Sequence, residues 1–216
     1  MDRIYRHQRH VYDLTRKYYL LGRDRMIRRL APPPGGRVLE IGCGTARNLV
    51  QAARLYPDAL FYGIDISAKM LATAHQVVDR AGLEHRIHLA RADATAFDPM
   101  DLFGVAGFSR IFASYALSMI PAWPIAIEQA MARLSPKGEL HIVDFGGQEH
   151  LPAWFRVGLR KWLGLFHVGP RDGLEAELGR RGIDAIVGRP FLGYAQSAIC
   201  RRSGHGPSAG RALASS

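Results

Sequence analysis

The chain has 216 residues, 48% hydrophobic and 22% charged, a composition that suits one globular domain with a core large enough to need no disulfide staples. No apolar run approaches the roughly 18 residues of a spanning helix, no apolar leader core opens the chain, and two cysteines offer neither a disulfide framework nor metal-ligand spacing. The expectation is a cytoplasmic protein without a metal. Basic residues number 29 against 19 acidic ones, a net charge of +10, which points to nucleic acid or an anionic membrane surface unless it reflects an arginine-rich genome.

Residues 2–30 read as helical, with Ile4, Tyr5, Val11, Tyr12, Tyr18, Tyr19 and Met26-Ile27 among basic residues and a break at Gly22. Nine Arg or Lys against three Asp give this cap +6 on its own. Tyrosine joins an apolar body to a polar tip, so these rings suit a lipid interface, a pocket rim or packing onto the domain. After the Pro32–Gly36 breaker, Val38, Leu39 and Ile41 make a strand, Gly42-Cys43-Gly44 a tight turn, and Asn48 to Leu55 a helix. A strand, Gly turn and helix N-terminus in succession present backbone N–H groups to a ligand. A dinucleotide fingerprint wants a third small residue for close packing around a pyrophosphate. Arg47 stands there instead, and the Glu40 carboxylate suits a ligand with a cationic amine.

Leu60 to Asp65 is a second strand, ending in an acid 23 residues after Gly42 that can accept both hydroxyls of a ribose. Ser67 caps the next helix, with Met70-Leu71 on its inner face. A third strand spans His85 to Ala90, a turn Asp98–Asp101, a fourth strand Phe108 to Ser114, a helix Ala122 to Leu134, a turn Ser135–Gly138, and a fifth strand Glu139 to Phe145. Residues 151–168 interleave two Trp and two Phe with Arg156, Arg160 and Lys161, which fits an interfacial helix or a lid. Leu174 to Arg181 reads as a helix, Ile183 to Gly188 and Tyr194 to Cys200 as strands, and 203–216 as a disordered tail. This alternation predicts an α/β fold, a doubly wound, Rossmann-like, seven-stranded and mostly parallel sheet, in one domain over 1–202. Its ligands belong beyond the carboxyl ends of the strands, where Glu40, Gly42, Asp65, Asp93, Ser114, Tyr115 and Asp144 all fall.

The run Glu40-x-Gly42-x-Gly44-Thr45 resembles motif I of the class I S-adenosylmethionine-dependent methyltransferases, whose cofactor carries an ammonium and a sulfonium. Ala46 departs from the Gly common in that family but is small enough for the turn. The resemblance implies that Glu40, Gly42, Cys43, Gly44, Thr45, Asn48, Asp65, Ile66, Met70 and Ser114 surround S-adenosyl-L-methionine. It implies further that Asp93 receives the adenine amino group, that the Ala94 backbone reaches a ring nitrogen, and that Arg23 lies near the cofactor carboxylate.

The opening, Met1-Asp2-Arg3-Ile4-Tyr5-Arg6, Tyr12-Asp13-Leu14-Thr15-Arg16 and Tyr19–Arg25, is similar to that of the N-methyltransferase of bacterial betaine-lipid synthesis. Phosphatidylethanolamine and quinone-biosynthesis methyltransferases share a Tyr-Asp…Gly…Arg opening. This resemblance implies trimethylation of a homoserine-type lipid amine by a peripherally membrane-associated enzyme. Tyr12, Tyr115, Asp144 and His167 are then candidates for handling the amine proton, with Tyr12 and Tyr115 at the methyl end. Ser114-Tyr115-Ala116-Leu117 replaces the Asn/Asp-Pro-Pro-Tyr of nucleic-acid amino-methyltransferases, and no Pro-Cys nucleophile is present, so a nucleic-acid substrate is not expected. A quinone or other small-molecule methyltransferase and a non-enzymatic membrane-binding module are the competing readings.

Overall fold

A computed structural model describes residues 20–148 and 173–201. Its helices are α1 (Arg23–Arg29), α2 (Arg47–Leu55), α3 (Ala68–Ala81), α4 (Pro99–Phe103), α5 (Trp123–Ala132) and α6 (Leu174–Arg180). Its strands are β1 (Arg37–Ile41), β2 (Leu60–Asp65), β3 (Ile87–Arg91), β4 (Phe108–Ser114), β5 (Leu134–Phe145), β6 (Asp184–Gly188) and β7 (Ala195–Arg201). They form one seven-stranded sheet in the order β3-β2-β1-β4-β5-β7-β6. β7 runs antiparallel to both β5 and β6, and the other pairings are parallel.

The helices cover both faces, so central strands are apolar in a near-continuous run rather than in alternation. In β1, Val38 joins a core with α1, α2 and α3, while Leu39 joins a second core with α5 and α6. Phe61 and Tyr62 divide in the same way, as do Phe112 and Ile111. Each fully buried side chain of this kind contributes about 1.5–3 kcal/mol. Glu40 breaks the apolar rule: it is a carboxylate at 1% exposure in a central strand.

Two local expectations are corrected. Asp98–Asp101 is not a turn; Asp98 Oδ1 accepts the Met100 N–H at 2.7 Å and caps α4, with Pro99 in the first turn. Ser135–Gly138 lies within β5, where a left-handed Lys137 (φ 62°) accompanies a register shift opposite Phe108 and Arg110. Gly22, with a left-handed backbone (φ 84°), begins α1, and the helical piece expected before it lies outside the described residues. Tyr56 at the end of α2 then staples α1: its hydroxyl lies 3.0 Å and 2.9 Å from the Ile27 and Arg28 carbonyls and accepts the Ala31 N–H at 3.2 Å. No helix among the described residues is long and apolar enough to cross a membrane.

Candidate active site

The carboxyl ends of β1, β2, β4 and β5 gather the side chains singled out above. Gly42 (φ 68°) turns the chain out of β1, and a Cβ there would lie 2.7 Å from Ala116 Cβ, so only glycine lets the β4 exit come this close. The turn does not hold its N–H groups open for a ligand as expected. Gly42 and Cys43 both donate to the Ile64 carbonyl, at 2.9 and 3.0 Å, and Gly44 donates to Asp65 Oδ2 at 2.8 Å. Backbone satisfaction across β1 and β2 uses them up, and an anion cradle is lost with them.

Polar side chains surround the turn instead. Glu40 Oε1 accepts from Asn48 Nδ2 at 2.7 Å, which ties the strand to the first turn of α2. Asn48 Oδ1 is buried without a partner among the described residues. Burial, with the Glu40 and Asp65 charges added, drives the Cys43 thiol far above its ordinary range, so Cys43 is inert packing. Asp65 accepts from Gly44 N and, through Oδ1, from Ser67 N at 2.8 Å. An ionised carboxylate has about four lone-pair sites, which leaves acceptor capacity for two hydroxyls.

Ser67 Oγ accepts the Met70 N–H at 3.3 Å as the cap of α3, and Met70 is half-buried rather than on the inner face, which Leu71 takes. Ile66, which follows Asp65 at the end of β2, is 63% exposed and offers an apolar surface there. Asp93 is exposed, and its Oδ1 accepts from the Thr95 N–H (2.8 Å) and hydroxyl (2.7 Å). Those bonds hold its pKa below the usual carboxylate value. Ala94 follows it, half-buried, as Thr45 is in the glycine turn. Arg23 is buried at the start of α1, and its charge reaches both Arg47 and Tyr115.

A wall closes the β4 and β5 side. Ser114 is buried, with Oγ unpartnered among the described residues. Tyr115 takes a left-handed backbone (φ 53°), donates its hydroxyl to the Leu21 carbonyl at 2.6 Å, and meets Phe145 edge-on at 4.6 Å. Burial first, then Tyr194 and Asp144, push its pKa well above the ordinary phenol value. The Asp144 oxygens accept from Ser118 N (3.0 Å) and Phe145 N (2.8 Å), which pins the short 3₁₀ turn Leu117–Met119. Tyr115 and Asp144 are therefore engaged in shaping the wall. Tyr12 and His167 lie outside the described residues.

Sequence reasoning missed two neighbours. Tyr194 packs 6.0 Å from Phe145, its buried hydroxyl unpartnered, and Gln148 is fully buried with neither amide atom bonded among the described residues. Gln148 N donates to the Gly193 carbonyl and Gly146 N to the Tyr194 carbonyl, both at 2.9 Å. Glycines at 146–147 and 193 were the available signal for this close strand-end contact.

The strand order and the ligand edge define a class I methyltransferase fold. Residues 38–138 match the family model described as a methyltransferase domain. An O-methyltransferase of Penicillium expansum is 33% identical over 134 residues, which is 60% of this chain and 46% of that protein. The phosphatidylethanolamine N-methyltransferase of Cereibacter sphaeroides is 36% identical over 120 residues, 55% of each chain. The chain thus spans about half the length of these curated relatives. A crystal structure of an S-adenosylmethionine-dependent methyltransferase from Aquifex aeolicus shares the fold, with a TM-score of 0.63 at 16% identity over 85% of this chain and 90% of that one.

Over residues 38–138 the chain is thus similar to methyltransferase domains, whose methyl donor is S-adenosylmethionine, and the solved structure shows the same fold. The residues present fit that molecule. The buried Glu40 and half-buried Asp65 suit a cationic ligand with ribose hydroxyls, Ile66 offers an apolar face for a base, and the turn's spent N–H groups disfavour a pyrophosphate.

Proposed function

We propose that the protein is an N-methyltransferase that trimethylates the amine of a homoserine-type betaine-lipid precursor at a membrane surface. The observation that carries this reading is the likeness to a phosphatidylethanolamine N-methyltransferase, whose name specifies a lipid amine, together with the basic, tyrosine-rich opening segment. When bound, S-adenosylmethionine supplies an electrophilic methyl group. Glu40 and Asp65 hold its amine-bearing and ribose parts, Asp93 its base, and Ile66 the face of that base. The wall of Tyr115, Phe145 and Tyr194, each under 10% exposed, keeps water from the acceptor. Catalysis then rests on positioning and on desolvation of a neutral amine.

The test incubates the protein and labelled S-adenosylmethionine with mixed micelles of diacylglyceryl-homoserine, phosphatidylethanolamine or a demethylated quinone. Mass spectrometry should find one, two and three methyl groups on the homoserine lipid. Label confined to a quinone oxygen or to phosphatidylethanolamine overturns the assignment of the acceptor.

A further inference from the structure

On the sheet face that carries α1, the described helices stop short of the β6 edge. His141, Ile199 and Ile186 stand side by side on β5, β7 and β6. Ile199 and Ile186 are half-buried and belong to neither core. Over them lies a groove of about 650 Å³, walled by α1 on one side and by the turn 189–192 on the other. That volume falls in the range of about 300–1,000 Å³ typical of small-molecule sites. Met26 lines one wall, and the other holds Phe191 and Leu192, which are 46% and 62% exposed.

The rim is cationic. Arg25 and Arg29 are exposed on α1 one helical turn apart, and no acid pairs with either among the described residues. Like charges at this spacing oppose the helix. Arg189 lies on the facing wall, 2.9 Å from Glu175.

We propose that the groove binds one long-chain anionic amphiphile, with the chain along Ile199 and Ile186 and the carboxylate or phosphate on the arginines. Guanidinium groups suit both head groups through paired N–H donors. The chain's own remaining segments are poor occupants on charge. Residues 1–19 carry five basic side chains against two acidic, 149–172 four against two, and 202–216 two against none. A second copy, at +10, brings the same repulsion. None of the groove residues belongs to the cofactor set, so the site is separate from the methyl-transfer edge and independent of the acceptor's identity.

The test is calorimetry of the full chain with decanoate, decyl phosphate, dodecyl phosphate and decyltrimethylammonium, all below micelle-forming concentrations. Both anion types should bind, each added methylene tightening binding about fourfold, and the cation should bind at least about tenfold more weakly. The double variant Arg25→Glu/Arg29→Glu should weaken anion binding about tenfold or more while leaving the melting temperature and S-adenosylhomocysteine affinity unchanged. Ile199→Trp, which fills the floor, should abolish the chain-length dependence. Absence of binding, equal binding of the cation, or sedimentation showing a dimer that the double variant dissolves would each overturn the proposal.

Discussion

Replacing Asp65 with alanine separates two roles that the carboxylate plays at once. In the folded chain it accepts two backbone N–H bonds at 2.8 Å, from Gly44 and Ser67. A hydrogen bond to a charged group contributes about 1.5–3 kcal/mol. Asp65 is half-buried, so water replaces part of what is lost, and the lower end applies: about 3 kcal/mol in total. For a domain of this size, that is a fall of about 6–12 °C in melting temperature. Losing the ribose acceptor should weaken S-adenosylhomocysteine by a further ~1–3 kcal/mol, or about 5- to 150-fold. Thermal melts without ligand measure the first effect and titration calorimetry the second. Ser67→Ala is the control: it removes the cap of α3, at about 1 kcal/mol, and leaves the carboxylate in place. If Asp65→Ala lowers the melting temperature but keeps affinity within about twofold, the ribose contact lies elsewhere. If Ser67→Ala weakens the ligand equally, turn geometry matters and the carboxylate does not.

Gly63→Ala should cost about 1–3 kcal/mol in a urea titration, because its Cβ would lie 2.6 Å from Leu49 Cδ1 and 2.9 Å from Cys43 Sγ; an unmoved midpoint would mean that α2 is not seated against β2 as described. Tyr115→Phe removes the bond to the Leu21 carbonyl and should lower stability by about 1 kcal/mol, with no change in the shape of the pH–rate profile. A shifted profile would make Tyr115 a proton acceptor after all. His141 is held below its ordinary value of 6.5, chiefly by burial, even though Glu139 lies 3.1 Å away. The unfolded chain therefore takes up this proton first, and the stability that depends on neutral His141 is complete above pH 6.5 and lost as pH falls from there through the folded pKa. His141→Gln should remove that part of the acid destabilisation, and an unaltered stability–pH curve would assign it to other groups.

The first half of the site was legible because its signals are local. An apolar run, a breaker before it and glycines after it specify β1 and its turn whatever else the chain does. Asp65 was legible from its place at a strand end. The fate of the turn's N–H groups was not, because the Ile64 carbonyl and Asp65 Oδ2 reach them from a neighbouring strand. The insertion of β7 between β5 and β6 was equally hidden, since strand pattern records burial and not partner. Asp98-Pro99 is ambiguous in principle, as the same dipeptide opens turns and caps helices. Tyr194 and Gln148 carry no motif; they join the wall only because β5 and β7 end together.

The positive charge of the chain has two different origins in the fold. Arg86 reaches the carbonyls of Ala53 (2.8 Å), Tyr56 (3.2 Å) and Pro57 (2.9 Å), closing the end of α2. Arg110 takes the Leu30 (2.6 Å) and Ala31 (3.1 Å) carbonyls, and Arg133 binds Phe97 O through two nitrogens at 2.6 and 2.9 Å. These three guanidiniums serve as multivalent donors for orphaned carbonyls, and their charge is incidental to any partner. Arg28 and Arg29 at the end of α1 are exposed, and 151–168 adds Arg156, Arg160 and Lys161 in sequence. Near an anionic surface each such residue contributes about 1 kcal/mol, an attraction screened over about 8 Å at physiological salt. Arg86→Met should then cost about 2–4 kcal/mol of stability and leave co-sedimentation with anionic vesicles unchanged. Arg156, Arg160 and Lys161 changed together to Glu should do the reverse, reducing vesicle binding and lipid methylation while cofactor affinity stays constant. A salt series on anionic and neutral vesicles completes the test. If the triple variant still binds as tightly as the parent, or binding ignores salt, the surplus charge is a matter of arginine-rich folding alone and the membrane-surface reading loses its electrostatic support.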